Sequence, residues 1–436
     1  MRIATSTIYA QGVGRISQQQ TDLLHTQQMI ATGRRILTPG DDPVGAAAVL
    51  EMTQSMNVNE QNGTNASIAK NNLQAEESHL TDVTTLIQDA QEIVVHAGNG
   101  TLTDADRKSM ATELEGRYQA LLGIANVTDQ SGQHLFAGFK GATVPFAEMS
   151  PGNVAYNGDQ GQRQIRISAN NMVAISDSGA DVFQRIKNGN GVFVTNAGVA
   201  NTGTGIVSPG SVKDISKWKD PANSKNFTIN FDVSATIPPV TTYDIVDNAS
   251  GLSLLTGAPP AGGGPYPRTF SDGGTISLKT QSPPDTNPVP FDYGADLSIG
   301  GTPATGDSFT IKPSTNEDLF TTLSNVISAL KTESPLASRA AVTQNNLNTS
   351  LSNLSNALDN VLTVRAAVGG RLKEVDSVQN TRMDLTIQYK AAISNLQDVD
   401  YTKSISDMTL QQMHLEAAQK SFSKTQSLTL FNYIGG

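Results

Sequence analysis

Residues 401–426, YTKSISDMTLQQMHLEAAQKSFSKTQ, decide the fold. Tyr401, Ile405, Met408, Gln412, Leu415, Gln419, Phe422 and Gln426 recur in steps of four and three. Such steps follow the 3.6-residue turn and keep side chains on one stripe of an α-helix. The opposite end of the chain repeats the pattern with Tyr9, Val13, Ile16, Gln20, Leu23, Gln27 and Ile30. Both stripes place glutamine at intervals of seven. This shared habit predicts that the two ends pair, the chain leaving along one helix and returning along its neighbour.

The apolar members of the two stripes, Tyr9, Val13, Ile16, Leu23, Ile30, Tyr401, Ile405, Met408, Leu415 and Phe422, form the expected assembly seam. Glutamine in a seam costs stability, because a buried amide must find partners, but it also fixes register. The arms are therefore expected to order only against other copies of the chain. A plain intramolecular antiparallel pair is the simpler alternative.

Further in, the period stays helical. Leu80, Val83, Ile87, Ala90, Val94 and Ala97 make one stripe, and Leu347, Leu351, Leu354, Leu358, Val361, Val368, Leu372 and Val375 make another. Gly369 and Gly370 interrupt the second, each weakening a helix by about 1 kcal/mol relative to alanine, so a local break or a close helix crossing is expected there. In TPGDDPVGAA, Asp42 reads as a helix cap and Pro43 as the first helical residue, where a missing N–H costs nothing. Two adjacent carboxylates, Asp41 and Asp42, favour the positive helix end better than they suit a metal. Thr103 can cap the segment that follows it.

Proline divides the chain. Of 19 prolines, 14 lie between Pro209 and Pro313, and none lies between Val44 and Val144 or after Pro335. Proline is excluded from helix interiors, so helical ends flank an irregular or strand-rich middle. There NFTINFDV alternates, with Phe227, Ile229, Phe231 and Val233 on one side, as in a half-buried strand. Ile276 with Leu278, and Phe309 with Ile311, behave alike, and clusters such as GAPPAGGGPYP read as loops. The fold class is mainly α with an inserted β-rich domain, a long antiparallel helical hairpin being built from both ends. Expected divisions are terminal arms at 1–42 and 398–436, a helical body with a β-hairpin at 43–180 and 306–397, and a β-rich outer domain at 181–305.

Composition narrows the function. The 436 residues are 16% charged, carry a net charge of −10 and contain no cysteine. An acidic chain lacks the basic face that phosphate binding needs, so nucleic acid is not an expected partner. No disulfide, thiolate metal site or cysteine nucleophile is possible. No apolar run approaches the length of a membrane span, and MRIATSTIYAQGVGRIS lacks the apolar block of a cleaved signal. The five histidines are scattered singly, and no zinc-protease helix, Walker loop, nucleophile elbow or EF-hand occurs. Neither an enzyme, a cofactor nor a metal is expected. The arm segments 1–40 and 398–436 carry +3 and −1, which leaves −12 to residues 41–397; the arms can pack densely while the body keeps the surface soluble.

ATGRRILTPGDDPVGAAAVL (Ala31–Leu50) closely resembles the N-terminal signature of the flagellin-like family, in its hook-associated branch at the hook–filament junction. The likeness continues through SGQHLFAGFKGATVPF and VAYNGDQGQRQIRIS, and resumes at GDSFTIKPSTNEDLFTTLSNVISAL to run to the end of the chain. It implies arms that line the inner tube of an axial structure and a variable outer domain. It also implies export without a cleaved signal peptide to the extracellular flagellum. Implied partners are further copies of the chain in a ring or helical tier, an adjacent hook-associated protein, flagellin, and an export chaperone on the C-terminal arm. A flagellin-type filament subunit is the nearest alternative, and an adhesive outer domain is a second.

Overall fold

The computed structural model describes residues 5–332 and 337–434. Its contacts divide the chain into two compact units, one holding residues up to 67, 166–171 and those from 376, the other holding 68–165 and 172–375. Two long helices, α2 (Pro43–Ala97) and α6 (Ala337–Gln397), contribute residues to both.

In the first unit α1 (Thr5–Thr32) and α7 (Tyr401–Ile434) pack against each other. Their inner ends are tied together where the chain turns. The Arg35 amide donates to the Gln397 carbonyl at 2.6 Å, and the Val399 amide donates to the Gly33 carbonyl at 2.9 Å. Ile36 and Val399 are buried beside these bonds. The link from α1 to α2 is organised by two carboxylates. Asp41 Oδ2 accepts from the amides of Leu37 (2.9 Å) and Thr38 (2.7 Å), and its Oδ1 meets His25 Nε2 at 3.1 Å. Asp42 Oδ1 accepts from the Gly45 amide at 2.9 Å in the first turn of α2, which opens at Pro43. Arg35 donates from Nη2 to Asp42 Oδ2 at 3.1 Å and to the Leu396 carbonyl at 2.8 Å. Backbone donors hold both carboxyls below the usual range, chiefly Thr38 for Asp41 and Gly45 for Asp42.

The second unit is built on a strict heptad. Ala69, Leu73, Glu76, Leu80, Val83, Ile87, Ala90, Val94 and Ala97 succeed one another in steps of four and three along α2, all buried. On α6, Leu347, Leu354, Val361, Val368 and Val375 are buried at intervals of seven. Arg365 of α6 donates to Glu77 of α2 at 2.8 Å, and Gln91 donates to Ser355 at 3.2 Å, joining the flanks of the two helices. Contrary to expectation, α6 continues without a break through Gly369 and Gly370. A side chain at either glycine would meet nothing within 4 Å, so there is no close crossing either; the buried heptad on both sides outweighs the local propensity cost.

Helix α3 (Asp104–Ala125) starts in a full capping box, with Thr103 and Asp106 bonded reciprocally. It packs on α5 (Leu319–Lys331), where Tyr118 meets Phe320 edge to face at 6.0 Å. Phe146 and Phe183 extend that aromatic cluster.

The proline-rich middle folds as two antiparallel sheets. One runs in the order Leu252–Ser253, Thr241–Asp247, Phe227–Val233, Ser308–Pro313, Phe193–Ala197. The other pairs Thr275–Lys279 with Asp292–Gly300, which also bonds Ile206–Val207 and Ser211–Val212. Phe227, Ile229, Phe231, Ile276, Leu278, Phe309 and Ile311 share one buried core, so the sheets make a single sandwich. Trp218, on the short helix α4 (Ile215–Lys219), fills that core beside Phe193 at 5.0 Å.

Candidate assembly surface on the terminal helices

Helix α1 turns Gly12, Ile16, Gln19, Leu23, Thr26 and Ile30 toward its partner as a buried or half-buried stripe. Helix α7 answers with Ser404, Met408, Gln411, Leu415, Ala418 and Phe422. Both follow steps of four and three, the seam of a coiled pair. The two ends fix an antiparallel register. Outermost, the Phe422 ring lies 2.8 Å from where a Cβ on Gly12 would stand, and it meets the Tyr9 ring edge to face at 5.8 Å. Innermost, the Tyr401 hydroxyl lies 2.9 Å from the Cβ position of Gly33.

The observed stripe shares Tyr9, Ile16, Leu23 and Ile30 of α1 with the sequence reading, and Met408, Leu415 and Phe422 of α7. The intervening members differ. Gly12, Gln19 and Thr26 take the inner places expected for Val13, Gln20 and Gln27, while Ser404, Gln411 and Ala418 take those of Ile405, Gln412 and Gln419. The cause is side-chain size. Two phases of the heptad share every second member, and close approach selects the phase with glycine, serine and alanine rather than the more apolar one.

That choice leaves Val13 and Ile405 outside the pair, where Leu24, Tyr401, Leu410 and Met413 are exposed as well. Val13, Leu24, Tyr401, Ile405, Leu410 and Met413 are each 48–58% exposed. Val13 and Leu24 share one face of α1, as Tyr401 and Ile405 share one face of α7, while Leu410 and Met413 lie further round α7. Inside the seam, Gln19 Oε1 and Gln411 Oε1 are buried and accept no hydrogen bond from any described group. A buried unpaired acceptor costs about 1–3 kcal/mol. The pair thus carries six exposed apolar side chains on an otherwise polar exterior and two unsatisfied amide oxygens inside. Among the described residues no group of three or more His, Cys, Asp or Glu could hold a metal. No described helix is long and apolar enough to cross a membrane.

Known proteins resemble this chain along its length. Flagellar hook-associated protein 3 of Salmonella typhimurium is 26% identical over 435 residues, covering 99% of both chains. The crystal structure of flagellar hook-associated protein 3 from Legionella pneumophila superposes with a TM-score of 0.70 at 28% identity, covering 80% of this chain and 98% of that one. In sequence and in fold, this chain resembles flagellar hook-associated protein 3. The bacterial flagellin N-terminal helical region matches residues 3–140. By contrast, a flagellin of Listeria monocytogenes is 25% identical over only 30% of the chain. The likeness to hook-associated protein 3 therefore runs along the whole chain, and the likeness to this flagellin covers less than a third of it.

Asp42 and Pro43 stand at the start of α2, beside the turn that joins the arms, and not on the apolar flank. Sequence reasoning overlooked Leu24, Leu410 and Met413, which belong to neither stripe. Their signal was available: three large apolar residues lying off the periodic stripes of α1 and α7.

Proposed function

We propose that this chain is a structural subunit of the bacterial flagellum that forms the junction between hook and filament, adapting a hook-associated protein on one side to flagellin on the other. The observation that carries this reading is the likeness to hook-associated protein 3 along 99% of both chains, and the exposed apolar side chains of the paired arms, Val13, Leu24, Tyr401, Ile405, Leu410 and Met413, agree with it. Self-contacts run head to tail, because like faces meeting would close a dimer and stop a tube. The arms 1–42 and 398–436 supply the axial packing, residues 43–180 and 306–397 the wall, apart from the strand Ser308–Pro313 that completes the sandwich, and 181–305 the outward face. Its work is packing and not catalysis, with no cofactor involved.

Before assembly the chain is exported without a cleaved signal. In the cytoplasm a chaperone covers the C-terminal arm, whose apolar flank would otherwise be exposed. In the free monomer the arms pair only weakly with each other, and they gain full order against neighbouring copies. Deleting the gene is expected to abolish stable filaments while hooks persist, as seen by electron microscopy of whole cells. Filaments of normal number and length in the deletion strain would refute the junction role.

A further inference from the structure

Within the first unit, α2, α6 and residues 167–170, the end of the strand Gln164–Ser168 and the turn after it, line a cleft of about 570 Å³. Ile167 is fully buried at its base, while Val58 and Leu385, 54% and 37% exposed, leave its walls open to solvent. Its one charged lining side chain is Arg382. The guanidinium lies flat over Gly63, where any Cβ would overlap it, so that glycine makes the space the cation occupies. Arg382 Nη1 donates to the Asn59 carbonyl at 3.0 Å, and Asn59 Nδ2 returns a bond to the Arg382 carbonyl at 3.0 Å. Arg382 Nε is buried and donates to no described acceptor.

A single cation in a cleft lined by amides, hydroxyls and a few apolar side chains, with no carboxylate among the lining residues, suits an anionic oxygen carried on a partly apolar segment. The volume admits a few side chains and not a folded domain. The whole chain carries a net charge of −10. Copies of it approach one another against repulsion, and a positive, partly apolar recess is where one copy can receive an acidic side chain of the next. We propose that this cleft is a docking site for an acidic, apolar-tipped segment of a second copy of the chain, with Arg382 as the carboxylate anchor. The proposal rests on the self-assembly read above and adds the site and its chemistry.

The absence of cysteine makes the test clean, since Val58→Cys introduces a single thiol. In cells producing the full-length Val58→Cys chain, a thiol-linked photo-cross-linker is expected to give an adduct of twice the chain's mass, joined to a peptide containing Asp or Glu. Adding Arg382→Gln should lower that yield about tenfold or more, with Arg382→Lys restoring part of it. Immunolabelling of the same cells separates the two readings. A chain that reaches the hook–filament boundary without forming the adduct, or that cross-links there to a different protein or to an additive small molecule, overturns the cleft alone. A chain that never reaches the boundary overturns the junction role and the cleft with it. Unchanged adduct yield in Arg382→Gln, with thermal unfolding as in the parent, also overturns the anchor.

Discussion

The ring of Phe422 rests on Gly12, its edge 2.8 Å from the place a Cβ would take. Gly14, two residues on, has nothing within 4 Å of that place. Alanine normally stabilises an exposed helical glycine site by about 1 kcal/mol. Gly14→Ala should therefore raise the helicity of the arms, whereas Gly12→Ala should lose that gain by pushing the helices apart. Amide hydrogen exchange along α1 measures the difference: stronger protection in Gly14→Ala and weaker in Gly12→Ala is the expected pair of results.

Outside the seam the expectation reverses between neighbours. Leu23 is half-buried against α7, and Leu24 is 58% exposed. Leu23→Asp should separate the arms within the monomer. Leu24→Asp should leave monomer helicity within error of the parent and still abolish motility, because it places a charge in a face meant for another copy. Circular dichroism of purified protein together with a swimming assay distinguishes the two; equal swimming in Leu24→Asp and parent would remove the flank from the assembly.

The terminal pairing, the start of α2 at Pro43 and the sandwich core around Phe227, Ile229 and Phe231 were legible because each is written in spacing or in proline placement. The seam's phase was not. Its two candidates differ only by one residue, and the choice depends on how closely Gly12, Ser404 and Ala418 let the backbones approach, which is a property of the pair and not of either helix. The uninterrupted α6 was illegible for a similar reason: local propensity at Gly369 and Gly370 is set against burial of Val361, Val368 and Val375, and burial against a partner helix is not a local quantity. The cleft at Arg382 was invisible, since it joins residues more than three hundred positions apart.

Glu76 takes a core place in the α2 heptad between Leu73 and Leu80. Its Oε1 accepts from the Asp177 amide at 2.9 Å, and its Oε2 has no described partner. Arg371 pairs with Asp177, and the neighbouring Glu77 is engaged by Arg365. Burial first, and then the Asp177 charge, push the Glu76 carboxyl up to about 8, against a partial opposing pull from Arg371. A folded value above the unfolded one means that the group's contribution is present in full below about pH 4.5 and is lost as pH rises to about 8. Glu76→Gln, permanently neutral, should gain stability over the parent across that window, by on the order of a few kcal/mol at its upper end. Thermal melts from pH 5 to 9 check this; parallel curves for parent and variant would contradict it.

In the sandwich, Arg268 donates through Nε (2.9 Å) and Nη2 (2.7 Å) to Asp285, and through Nη1 (2.9 Å) to the Ser277 carbonyl. Both side chains are almost wholly buried, at 2% and 0% exposure. Removing one partner of such a pair strands the other charge and costs about 3–5 kcal/mol. Arg268→Ala should lower the melting temperature of the β domain, read by the fluorescence of the lone Trp218, while the helical signal at 222 nm melts as before. A single coincident transition, unmoved from the parent, would show that the pair does not hold the sandwich.

The central claim is that this chain occupies one level of the flagellum. Immunogold electron microscopy of intact flagellated cells, using antibody raised against residues 181–305, measures that directly. The account predicts one compact band of label at the boundary of hook and filament. Label distributed along the filament, or absent from the flagellum, would contradict it.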